Sequence, residues 1–124
     1  MVGKLLCVAA LTAALITNAQ ALPSDDSPLT PDLRCLTISF RLAGSDEAQI
    51  RQAGLIAGYY YLGKVDGSAP ALDLETAIHD SDLTLSDPQF AAAEARRCGA
   101  ELQARGREII EIGNRLSERE RASE

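Results

Sequence analysis

Three groupings of side chains in this sequence have the types and spacing to do chemistry: a cysteine pair, a histidine among acids, and a run of carboxylates. Cys35 and Cys98 are the two cysteines left once an N-terminal leader is removed. An even pair in an exported chain is most simply one intramolecular disulfide. The other uses are a metal site, with His79 as the only histidine available, or a reactive thiol. His79 stands beside Asp80, Ser81 and Asp82, and a histidine oriented by a carboxylate can activate a serine. That is the hydrolase reading. Neighbours so close in sequence rarely converge on one reacting atom, and no Gly-rich nucleophile turn surrounds them, so an exposed histidine among acids is the favoured alternative. Asp73, Glu75, Asp80, Asp82 and Asp87 lack the alternating carboxylates, central glycine and closing glutamate of a calcium loop. No phosphate-binding glycine loop, dinucleotide fingerprint or Cys/His zinc array is present, so no cofactor and no metal are expected.

The first 21 residues have the pattern of an export signal. Lys4 supplies a positive charge, Leu5 to Ile16 form an apolar run broken by Thr12, and Ala19-Gln20-Ala21 is a small-x-small cleavage site. The run is too short to span a bilayer, and Cys7 lies inside it. Residues 1–21 therefore read as a cleaved signal peptide, and the destination as the periplasm or the exterior, with no stable membrane anchor after cleavage. Losing Lys4 makes the chain one unit more negative than the formal −6 of the whole sequence. An acidic chain without a basic cluster is a poor match for nucleic acid or an anionic membrane.

The remaining residues suffice for one compact domain. Residues 22–30, rich in Pro, Ser and Asp, read as a flexible arm. Residues 31–117 read as a helical domain and 118–124 as a frayed charged tail. Thr30-Pro31-Asp32 is a helix start and Gly44 a helix stop, so residues 31–43 are expected to be helical. Their apolar positions also alternate as in a strand. A second helix is expected over residues 46–65, with Ile50, Leu55, Ile56, Tyr59 and Leu62 inward. A short one is expected over residues 72–79, followed by a polar turn at Asp80-Ser81-Asp82 and an extended Leu83-Thr84-Leu85. A long helix then runs to Arg121, capped by Ser86 with Gln89, and Ala95, Cys98, Leu102, Ile109, Ile112 and Leu116 form its apolar stripe. The fold class is all-α: a bundle of three to four helices, with one disulfide joining the first and last.

Glycines punctuate this plan. Gly99, Gly106 and Gly113 recur every seventh residue, and Gly54 and Gly58 make a small-residue face on the second helix. Each glycine costs a helix roughly 1 kcal/mol relative to alanine. The two small faces are therefore expected to pack closely and antiparallel, the alternative being that the glycines are incidental in an alanine- and glycine-rich chain. Tyr59-Tyr60-Tyr61 holds every tyrosine of the chain. On a helix these span about 200°, so they cannot share one core. They either cover neighbouring elements or form part of a partner-binding patch with Asp66 and Asp73.

The order of Cys35, Gly58-Tyr59, a polar connector, Leu85-Ser86-Asp87-Pro88 and Cys98 resembles the periplasmic acid-stress chaperones of the HdeA type. Tyr60-x-x-Gly63-x-x-Asp66 is similar to a stretch of Tai-like immunity proteins. Either resemblance implies a helical, disulfide-stapled, non-catalytic binding protein. The first implies clients, with a possible homodimer whose packing loosens in acid. The second implies a toxin capped by the tyrosine patch with Asp66 and Asp73. Mass analysis of the exported protein should give a chain beginning at Leu22 and two hydrogens lighter than its dithiol form. An intact leader, or free thiols at both cysteines, would contradict the export and pairing argument.

Overall fold

The computed structural model of the chain describes residues 26–124, so the signal-peptide expectation, Cys7 and the first residues of the arm lie outside the described residues. Four helices follow in order: α1 (Thr30–Ala43), α2 (Ala48–Ser68), α3 (Leu74–Thr84) and α4 (Pro88–Ala122). All regular structure among the described residues is helical, and none of these helices is long and apolar enough to cross a membrane.

α1 is the hub, and α2, α3 and α4 each pack on it. Leu33, Cys35, Leu36 and Ile38 are buried on it, together with Thr37 and Ser39. The two hydroxyls return to their own helix: Thr37 Oγ1 donates to the Leu33 carbonyl at 2.8 Å and Ser39 Oγ to that of Cys35 at 2.7 Å. No buried hydroxyl on α1 is thereby left unpaired. Burial on nearly every side explains why the sequence of α1 shows both strand-like and helix-like periodicity. Leu29, rather than Thr30, is its N-cap, and Gly44 ends it at a negative φ of −83°. Gly44 is therefore not the left-handed C′ residue expected of it.

α2 is rotated relative to the expected face. Gly54, Tyr61 and Val65 are buried on it, whereas Ile50, Leu55, Ile56 and Tyr59 are exposed. The cause is Gly54. A Cβ there would collide with the Ala43 amide nitrogen and lie 2.7 Å from the Leu42 carbonyl carbon. The close approach is thus between α1 and α2, where only glycine lets the backbones meet. Gly58 is less demanding, its hypothetical Cβ falling 3.8 Å from that of Ser39. The expected seat for this face was α4, but Gly99, Gly106 and Gly113 have no atom within 4 Å of an added Cβ. The predicted α2–α4 glycine packing does not occur.

α3 is longer than expected and starts later. Ala77, Ser81 and Leu85 follow an i, i+4 row into the core, which carries the helix through Asp80-Ser81-Asp82. Arg41 Nε on α1 donates to Asp82 at 2.6 Å and ties that end down. α4 is capped by Asp87, which accepts the Phe90 amide at 2.7 Å, one residue later than the expected Ser86 cap. It stays helical to Ala122, beyond the point where fraying is expected. Its charges pair as Arg97 with Glu94 and Arg105 with Glu108 at i, i+3, and Arg97 also stands 3.9 Å from Glu101.

Two glycines of α2 separate these effects. Gly54→Ala should lower the unfolding free energy by about 1–3 kcal/mol, since the backbone of α1 must move. Gly63→Ala, with nothing within 4 Å, should raise it by up to about 1 kcal/mol. Chemical denaturation of both variants checks this, and equal effects would contradict the α1–α2 contact.

Candidate functional site

The cysteines meet where α4 crosses α1. Cys35 and Cys98 form the disulfide, with Cα atoms 5.5 Å apart, a usual spacing for such a bond. A polar network surrounds the crossing. Tyr61 is fully buried, and its hydroxyl donates to the Cys98 carbonyl at 2.8 Å. Burial, with the Glu101 charge beside it, raises the Tyr61 phenol far above its ordinary pKa, so it remains a donor. Tyr60 Oη donates to Glu101 at 3.0 Å. Lys64 Nζ bridges Asp32 of α1 and Glu101 of α4, at 2.6 Å from each. Arg97 Nη2 donates to the Pro31 carbonyl at 2.8 Å and lies 3.1 Å from Cys35 Sγ. Near the start of α4, the Phe90 ring centroid lies 5.1 Å from the guanidinium of Arg34 on α1, a cation–π contact.

The three tyrosines therefore do three different things. Tyr61 fills the core, Tyr60 orients a carboxylate, and Tyr59, 75% exposed, points away from both. They are not one patch, and the expected acids do not join them. Asp73 caps α3 by accepting the Thr76 amide at 3.2 Å and the Thr76 hydroxyl at 2.9 Å. Those bonds hold its pKa below the ordinary value. Asp66 is exposed on α2. The hydrolase candidates also separate. His79 is exposed whereas Ser81 is buried with no partner for its hydroxyl oxygen, because two residues on a helix stand about 200° apart. Among the described residues no group of three His, Cys, Asp or Glu is placed to hold a metal.

Tyr59 lines an open groove of about 210 Å³ between α1 and α2, together with Phe40, Leu55 and Leu62. Its walls are almost wholly apolar, and Gly54 and Gly58 lie along it. Phe40 also borders a shallower depression formed with Leu74 and Ile78 of α3. Phe40, Leu55 and Tyr59 are all exposed large apolar side chains, and all three line this groove.

Sequence reading missed Lys64, Asp32, Glu101 and Phe40. Lys64 carried a signal, being the only lysine after Lys4 and lying one helical turn from Tyr60. Phe40 carried none, because its exposure depends on how α2 rotates. No family model matches the chain, and no curated protein or solved structure is significantly similar to it. The surfaces themselves are then what bears on function.

The pH response of the crossing follows from two opposed shifts. Burial alone would raise the Glu101 carboxyl, but hydrogen bonds from Lys64 and Tyr60 and the charges of Lys64 and Arg97 outweigh it and lower the pKa. Burial likewise opposes the Lys64 charge, yet the hydrogen bonds to Asp32 and Glu101 raise its pKa. A depressed carboxylate stabilises the fold above the ordinary carboxylate range and loses that contribution as pH falls through its folded value. A raised lysine loses its contribution only as pH rises through its own folded value. The network is therefore intact from above the carboxylate range to beyond the ordinary lysine range. Glu101→Gln should cost about 1–2 kcal/mol at pH 7 and flatten the decline in unfolding free energy below about pH 5. Denaturation as a function of pH checks both. An unchanged acid limb would remove Glu101 from the network.

Proposed function

We propose that this is a small exported, non-catalytic binding protein of the periplasm or exterior, whose apolar groove around Tyr59 receives an apolar segment of a protein client. The open groove lined by Phe40, Leu55, Tyr59 and Leu62 carries the reading. A disulfide linking two distant parts of the chain agrees with an oxidising compartment, as does the leader read from the sequence. Apolar walls with few polar groups suit a range of sequences better than one shaped ligand, which fits stress protection.

In that role, acid neutralises exposed carboxylates and swings the net charge positive, while the disulfide keeps α4 attached as its ion pairs weaken. Clients would then meet a loosened, cationic but still folded surface. The immunity-type alternative receives less support, because Asp73 is occupied as a helix cap and the tyrosines do not form one face.

A Leu55→Ser/Tyr59→Ser double variant tests the groove without removing a buried side chain. Its melting behaviour should match the parent, while binding of an apolar fluorescent dye and suppression of aggregation of a test protein should fall several-fold. Undiminished suppression by a folded variant would contradict the proposal.

A further inference from the structure

The outer part of α4 has no counterpart in the bundle. Residues 103–122 project as about 30 Å of helix beyond the crossing, and all but Gly106 are exposed. Ile109, 70% exposed, stands with Ile112 and Leu116 on this projection. Helices in proteins owe most of their stability to packing, which this projection lacks within the bundle, and Gly106 and Gly113 weaken it further. Apart from Ile110, 64% exposed and off the row, the large apolar positions are not scattered. Leu102, Ile109 and Leu116 recur every seventh residue, and Arg105, Ile112 and Arg119 fill the intervening third position. That is the 3.5-residue spacing of a coiled-coil seam. It continues the row of Ala95 and Cys98, of which Cys98 is buried at the crossing.

The charges decide what can lie on this seam. A parallel copy would stack Arg105 on the partner's Arg105 and Arg119 on the partner's Arg119. An antiparallel copy, with Ile109 opposite the partner's Ile112, sets Leu116 against the aliphatic stem of the partner's Arg105. In that register Glu108 lies beside the partner's Arg115, and two-fold symmetry repeats the pair. Gly113 falls beside the partner's Gly106, where nothing occupies the space that a Cβ would take, so the backbones can approach closely. The overlap stops near Leu102, where each partner's bundle begins.

We propose that a second copy of this chain docks on the outer half of α4, forming an antiparallel two-helix seam centred between Ile109 and Ile112 and flanked by two Glu108–Arg115 pairs. The seam lies on α4 and the client groove between α1 and α2, so the proposal stands independently of the function proposed above.

Sedimentation equilibrium of the oxidised, leader-free protein tests it. The parent should dimerise reversibly, and Ile112→Glu should leave a monomer with the same bundle melt. Glu108→Arg and Arg115→Glu singly should each weaken the dimer by about tenfold, because like charges then face each other. The double variant should recover most of that loss. A parent that stays monomeric up to about 1 mM, or a dimer whose charge reversals show no recovery on combination, would overturn the proposal.

Discussion

The rest of the structure depends on one covalent constraint, the Cys35–Cys98 bond that fixes α4 to the hub helix. α4 touches the bundle over a short stretch, and Cys98 is the buried residue on its whole length. Noncovalent contact over so small an area would hold a 35-residue helix weakly. Closing the 63-residue separation between the cysteines contributes about 4 kcal/mol in the chain-entropy model, a large share of the roughly 5–15 kcal/mol typical of a domain. The network of Tyr61, Lys64 and Glu101 then sets the angle and depth of the crossing. Its members come from α2 and α4, with Asp32 added from α1, so three helices meet at one polar cluster beside one disulfide.

That arrangement explains the distribution of apolar surface. Because α4 is held at one crossing, it does not cover the α1–α2 groove, and Phe40, Leu55 and Tyr59 remain in solvent. For the same reason its outer half is left exposed, with no other helix packed on it among the described residues. The two surfaces lie on different elements, an apolar groove between α1 and α2 and a row of exposed apolar side chains on the outer half of α4. A dimer formed through the seam would carry two grooves, which raises effective affinity for a client with more than one apolar segment.

Much of the fold is readable from sequence, and the gaps have identifiable physical causes. Pro31 and Pro88 mark two helix starts because a missing N–H is harmless there. The cysteine pair is readable because, with Cys7 set aside in the leader read from the sequence, an even count leaves few options. The rotation of α2 is not readable, because its buried row of Gly54, Tyr61 and Val65 is mostly small or polar, whereas the exposed row of Ile50, Leu55 and Ile56 is the more hydrophobic. The usual inference from hydrophobic face to core is inverted there. The α4 glycines mislead for a related reason: a small-residue stripe announces a close approach but not which chain supplies the neighbour. Of the tyrosines, the sequence predicts that they must diverge, and only the packing shows that Tyr59 is the one left in water.

Hydrogen exchange along α4 of the oxidised protein, measured at high dilution, tests the single-crossing arrangement most directly. Amides between Ala91 and Leu102 should be protected nearly as strongly as those of α1, with protection falling away steadily beyond Leu102. Uniform protection from Ala91 to Arg121, or none at the crossing itself, would contradict it.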